Sequence, residues 1–193
     1  MTPDLATRLS AYKALLLTWN ARINLVSAGD AANLEQRHIA DSLQLLPLLP
    51  QSGCCADLGS GAGFPGLVLA AADPERAWHL VESDRRKAAF LTEAARSMGL
   101  RNITIHASRI EATTLPPLAA LTARALAPLD VLLTHAARFL APGGVAIFPK
   151  GRGAEVELTE ALQRWTLRAE RIPSATDAAA TILRLSEIAR AGA

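Results

Sequence analysis

The sequence predicts a doubly wound α/β fold: a mostly parallel sheet with helices on both faces, preceded by a helical N-terminal extension. Three observations predict it. From about residue 51 onward, short apolar runs bounded by Gly, Pro or Asp alternate with stretches of helical period, the pattern of βαβ units. The first of these runs ends in a glycine-rich turn that opens a helix. Before residue 51 the apolar period is helical throughout.

The elements follow in order. Leu5, Leu9, Tyr12, Leu16 and Trp19 make one apolar stripe, so a helix opens the chain. A second helix is predicted over 31–46, ending before Pro47 because the residue ahead of a proline avoids helical dihedrals. Strands are predicted at 54–58, 78–81, 103–106, 121–124 and 145–148, with helices at 65–72, 84–98, 129–140 and 154–165. Ser83 reads as the N-cap and Gly99 as the C-cap of the second of these helices, and Pro128 as the first residue of the third. The segments 166–171 and 181–186, joined by a loop containing Pro173, Ser174 and Asp177, read as a closing β-hairpin. The length of 193 residues suits one domain, 1–193, in which 1–50 is the extension and 51–193 the core.

Composition excludes several classes. Half the residues are hydrophobic and a fifth charged, which is globular rather than disordered usage. No apolar run approaches the roughly 18 residues of a membrane helix, and the N-terminus, with Asp4 and Arg8, lacks a signal-peptide core. Adjacent Cys54 and Cys55 found no disulfide framework and read as strand core; a cytoplasmic protein without a metal site is expected. The net charge of +2 conceals an excess of bases within 101–150, where five face only Glu111 and Asp130. Seventeen of the 20 bases are Arg, suited to planar partners such as phosphates and base edges.

The most informative stretch is Asp57-Leu58-Gly59-Ser60-Gly61-Ala62-Gly63-Phe64-Pro65-Gly66. Gly61, Gly63 and Gly66 satisfy G-x-G-x-x-G, so a dinucleotide site is one reading. Asp57 at the strand end would repel a pyrophosphate, and Pro65 removes a helix N-terminal donor that a pyrophosphate would use. Both features suit S-adenosylmethionine (AdoMet), which carries a sulfonium and an ammonium and no phosphate. Glu82 follows the second strand, where an acid accepts ribose hydroxyls. Ile110 and Glu111 follow the third strand, where an adenine would lie.

Further segments carry a resemblance to a known family. Trp19-Asn20 through Ile23-Asn24-Leu25-Val26-Ser27, Arg37-His38-Ile39-Ala40-Asp41-Ser42-Leu43, the glycine stretch, Val81-Glu82-Ser83 with Arg86-Lys87 and Phe90-Leu91, Ala123-Arg124-Ala125 and Lys150-Gly151 appear in family order. Over about residues 12–155 the chain resembles the bacterial ribosomal RNA small subunit methyltransferase G family, also called glucose-inhibited division protein B. Ala123, where the family usually has Ser, and a short N-terminus are departures.

The resemblance implies a Rossmann-like, class I AdoMet-dependent methyltransferase with a seven-stranded sheet, modifying N7 of one guanine in 16S rRNA, in the small ribosomal subunit. Carried over residue by residue, it implies cofactor contacts at Gly59, Phe64, Ile110, Glu111 and Arg124, beside Asp57, Gly61, Gly63 and Glu82 from the reading above. It places Arg37 and His38 on the RNA side, although Arg37 and Asp41, one turn apart, also suit a mutual ion pair and His38 suits a partly buried helix face. Arg124, at a strand end, is the candidate catalytic residue, facing guanine, phosphate or cofactor; Lys150 and Arg152 on the same rim suit phosphate. Trp78 and Trp165 read as packing. Other readings of the same fold are an AdoMet enzyme acting on another RNA or a small molecule, and an inactive RNA-binding scaffold; a dinucleotide oxidoreductase lacks a proton-transfer pair.

Overall fold

The structure, a computed structural model, describes residues 3–192. Helix α1 (Pro3–Asn20) leads through α2 (Ala28–Ala32), a π-helical turn (Glu35–Ala40), α3 (Asp41–Leu43) and a 3₁₀ turn (Leu46–Leu48) into the α/β unit. There β1 (Cys55–Leu58), α4 (Gly66–Ala72), β2 (Trp78–Val81), α5 (Arg85–Ser97), β3 (Ile103–His106), β4 (Leu118–Ala123), α6 (Leu129–Phe139), β5 (Leu140–Lys150) and α7 (Ala154–Ala161) alternate. The chain closes with β6 (Trp165–Pro173) and β7 (Thr181–Arg190).

The seven strands stand in the order β3-β2-β1-β4-β5-β7-β6. The first five are parallel; β7 runs antiparallel between β5 and β6. The sheet separates two cores, as the period-2 alternation of strand side chains demands. Cys55, Trp78 and Leu80 face α1, α4 and α5, whereas Ala56, Leu58, Val81 and Leu121 face α6 and α7. Aromatic contacts tie the N-terminal helix to the sheet side: Phe90 of α5 lies 6.3 Å from Tyr12 and 5.8 Å from Trp19, centroid to centroid. Trp78 and Trp165 are both buried. Among the described residues no helix is long and apolar enough to cross a membrane.

Four sequence expectations are corrected. The second helix is not continuous over 31–46. Ser27 caps α2 by accepting from Asp30 N, Asn33 ends it with φ of −127°, and the next turn is π-helical. Such a turn holds one extra residue and so shifts the faces that a 3.6 period would assign. Pro47 lies inside the 3₁₀ turn rather than beyond a helix end. The N-cap of α5 is Asp84, whose carboxylate accepts from Arg86 N and Lys87 N, not Ser83. Pro128 is the N-cap of α6 rather than its first residue, its ψ of 154° being extended. Strands β5 to β7 also run longer than their apolar centres, because their ends carry Gly, Pro or charged residues, and β4 begins three residues earlier, at Leu118.

Candidate active site

The carboxyl ends of β1, β2 and β3 form one arm of the site. After β1 the chain turns at Gly59 (φ +64°), Gly61 (φ +54°) and Gly63 (φ +94°) before α4. The loop consumes its own donors. Ser60 N bonds to Val81 O (3.1 Å), Gly63 N to Ser60 O (2.6 Å) and Leu67 N to Gly63 O (2.9 Å). Gly61 N donates to Glu82 Oε2 (2.9 Å) and Gly66 N to Asp57 Oδ2 (3.3 Å). With Pro65 offering no N–H, few donors remain to cradle a pyrophosphate. A Cβ placed on Gly61 would point into open space beside Gly59 O (3.7 Å), which leaves room for a ligand against the backbone. This arrangement fits AdoMet, a cofactor without phosphate.

Asp57 is fully buried behind the loop and does not line the cleft. Its Oδ1 accepts from Thr122 Oγ1 (2.8 Å) and its Oδ2 from Gly66 N, so it fastens the start of α4 to the sheet. Burial pushes its carboxyl up to about 6, against the bonds from Thr122 and others. An acid raised in the folded state imposes no penalty below its unfolded value near ~3.9. The penalty grows as pH rises through about 6. Asp57→Asn is therefore expected to gain on the wild type by about 2 kcal/mol between pH 4 and pH 7. Denaturant melts of both proteins across that range check it; a pH-independent difference would remove the buried-acid reading.

Glu82 follows β2, and its Oε1 accepts from Asp84 N (2.7 Å) while Oε2 holds Gly61 N. These bonds fix a carboxylate whose remaining lone pairs suit ribose hydroxyls. After β3, Ile110 and Glu111 stand in a 3₁₀ turn, Ile110–Ala112. Arg138 of α6 donates to Glu111 O (2.9 Å) and Thr113 O (3.0 Å), so reading an adenine edge there falls to N–H groups and the Glu111 carboxylate.

The second arm is a cleft of about 1270 Å³ over the ends of β1, β4 and β5, reached by Gly59, Gly61, Phe64, His38, Arg124 and Lys150. Arg124 follows β4, and the next residue, Ala125, has a positive φ of 51°. Its Nη1 donates to His38 Nδ1 (2.8 Å), Asp41 Oδ2 (3.3 Å) and Arg37 O (3.4 Å), and its guanidinium lies 5.3 Å above the Phe64 ring. His38 stacks on the same Phe64 ring, 4.7 Å from it centroid to centroid and nearly parallel. Because Arg124 donates to Nδ1, the imidazole proton sits on Nε2, which is buried without a hydrogen-bond partner. Burial, then the Arg124 charge, holds His38 below its ordinary value, so it is neutral at pH 7.

The predicted RNA-facing cations divide. Arg37 is two-thirds exposed and pairs with Asp30 (3.2 Å), not with Asp41, which belongs to Arg124. Lys150 is spent internally: Nζ donates to Glu157 Oε2 (2.8 Å) and Ala127 O (3.1 Å), tying the β5 rim to the β4–α6 loop. Arg152 is exposed in the turn after β5. Cys55 is buried and Cys54 partly so, both as free thiols, and the described residues hold no group of three metal-ligating side chains. Asp41 and Thr176 also line the cleft and were missed as site residues; only the position of Asp41 within Arg37-His38-Ile39-Ala40-Asp41 signalled it.

Strand order with an antiparallel β7, the donor-spent glycine loop and the acidic residue after β2 together define a class I AdoMet-dependent methyltransferase. Solved structures share that fold: TYW2 of M. jannaschii in complex with AdoMet has a TM-score of 0.62 at 14% identity over 88% of this chain and 80% of its own. Precorrin-6y C5,15-methyltransferase of Geobacter metallireducens has 0.58 at 14% identity over 85% and 91%. The sequence profile described as rRNA small subunit methyltransferase G matches residues 5–182. Ribosomal RNA small subunit methyltransferase G of Acidiphilium cryptum is 59% identical over 186 residues, 95% of this chain and 85% of the relative. That of Granulibacter bethesdensis is 54% identical over 184 residues, with coverage of 95% and 85%. The chain belongs to the rRNA small subunit methyltransferase G family.

Proposed function

We propose that the protein transfers the methyl group of AdoMet to N7 of one guanine of 16S rRNA, acting in the cytoplasm on the small ribosomal subunit. The observation that carries this reading is the two-armed rim: a phosphate-free cofactor arm at the ends of β1–β3 meets, at Gly59 and Gly61, a cleft built around Arg124, Phe64 and His38. The cofactor contacts read here are Gly59, Gly61, Phe64, Glu82, Ile110 and Glu111, with Asp57 and Gly63 shaping the loop behind them. When bound, AdoMet supplies a methyl on a sulfonium that departs as a neutral thioether.

Guanine N7 carries an in-plane lone pair and no proton, so no residue need act as general base. This suits a cleft whose imidazole is held neutral with its Nδ1 lone pair occupied by Arg124. What the chain supplies is alignment, which is worth about 7–11 kcal/mol in well-oriented systems. Arg124 does so from the acceptor side, through O6 or the flanking phosphate, since N7 itself must stay open to the methyl. N7 faces the deep groove of A-form RNA, out of side-chain reach, so the target base is presented unpaired or splayed.

The test is methyl transfer from labelled AdoMet to small subunits, and separately to naked 16S rRNA, from a strain lacking the protein, with the product nucleoside identified by mass spectrometry. 7-Methylguanosine in one fragment is expected. A label in any other nucleoside, or none in either RNA despite AdoMet binding, would overturn the substrate.

A further inference from the structure

A bridge of side chains joins the β6–β7 loop to Arg124. Thr176, in that loop, donates to Asp41 Oδ1 (2.8 Å). Gln44 Nε2 donates to the same oxygen (2.7 Å), and Gln44 Oε1 accepts from Ala175 N (2.8 Å). The other carboxylate oxygen, Oδ2, holds Arg124 Nη1 (3.3 Å), the only ion pair of that guanidinium among the described residues. Asp41 is thus divided, one oxygen for the hairpin and one for the arginine. Its side chain and that of Arg124 are only 17% and 21% exposed, so the pairing is not the screened surface kind. The hairpin end is also part of the site, since Thr176 and Asp177 line the acceptor cleft.

We infer that Asp41, Gln44 and Thr176 are positioning residues: they set the guanidinium of Arg124 according to the place of the 174–180 loop, so that RNA seated against this loop and correct aim of Arg124 come together. This rests on the proposed function for its substrate but not for its coupling. The Gln44 amide gives the bridge its polarity. One end can only donate to Asp41 and the other can only accept from Ala175 N, so an apolar group at 44 breaks both ends at once, whereas a carboxylate keeps the acceptor for Ala175 N and loses the donor to Asp41.

Two measurements test it on the full chain. In steady-state assays on small subunits, Gln44→Leu is expected to lower kcat/KM for RNA about tenfold, with AdoMet affinity by calorimetry within about twofold of wild type. Thr176→Val is expected to behave similarly and Thr176→Ser to recover most of the loss. In an Arg124→Ala background Gln44→Leu should cost less than about twofold, because coupled residues are not additive. Full additivity, or a Thr176→Val enzyme as fast as wild type, would overturn the bridge. The second measurement needs no activity: amide exchange at Ala175, Thr176 and Asp177 is expected to speed up in Arg124→Ala. Unchanged exchange there would refute the coupling even if the RNA substrate were misassigned, and faster exchange with no methyl transfer would keep the bridge while removing the substrate.

Discussion

Arg124→Ala is expected to lower kcat/KM for methyl transfer to small-subunit RNA by about 10²- to 10³-fold, the effect of removing one preorganised donor from a reaction centre. The guanidinium lies over Phe64, against His38 and Asp41, at the mouth of β4, with Nη1 carrying all three of its hydrogen bonds. Arg124 lines the cleft, so its remaining N–H groups are donors available there. The protein should remain folded, because Arg124 lies at a strand end and outside both hydrophobic cores. Arg124→Lys should recover little, since an ammonium offers no planar fork. A second readout follows from charge: Arg124 is one of the causes that lower His38, so its removal moves the imidazole titration to higher pH. Histidine NMR of wild type and variant measures that. If kcat/KM stays within about threefold of wild type, Arg124 has no part in transfer; if AdoMet affinity falls in step with rate, it belongs to the cofactor arm.

Gly63→Ala is expected to destabilise the protein by about 2–4 kcal/mol and to abolish measurable AdoMet binding. Two costs combine. The backbone at φ +94° lies where an L side chain is strained, and the added Cβ would stand 2.9 Å from Leu67 Cγ and 3.1 Å from its Cβ. Leu67 is fully buried in the core beneath α4, so it has nowhere to withdraw. The shift would be passed to the loop that holds Glu82 through Gly61 N. Gly61→Ala is the control, with φ +54° but open space at the Cβ; it should lose cofactor affinity with a smaller loss of stability. Chemical unfolding and calorimetry check both, and equal stabilities for the two variants would show that the Leu67 contact is not the cause.

Much of this architecture was legible in the residues. The strands β1 and β2 announce themselves because each is a short, mostly apolar run closed by Gly59 or Glu82, the signature of a buried parallel strand, and the edge strand β3 follows the same short pattern. The glycine loop was legible because its φ values admit little else. The π turn at Glu35–Ala40 was not, since nothing in the residue types marks where the extra residue enters the turn. Lys150 stands on the rim where its position in the chain puts it, but its partner Glu157 lies on the next helix, and nothing in the spacing says that the pair will close. Asp41 presented two cations to choose from. The choice between neighbouring Arg37 and distant Arg124 is made by packing across 83 residues of chain, which local pattern does not encode.

The place of β7 has a consequence for the order in which a newborn chain acquires its shape. β6 is synthesised before β7, yet β6 reaches the sheet only by pairing with β7, which fills the slot beside β5. Until residues 181–190 have left the synthesis tunnel, β5 presents an open edge of backbone donors and acceptors, its centre lined by Val145, Ala146, Ile147 and Phe148. Such an edge is a template for another chain. The ten-residue β7 therefore acts as a closing seal: it pairs with the open edge of β5, and it brings in the hairpin loop that completes the cleft.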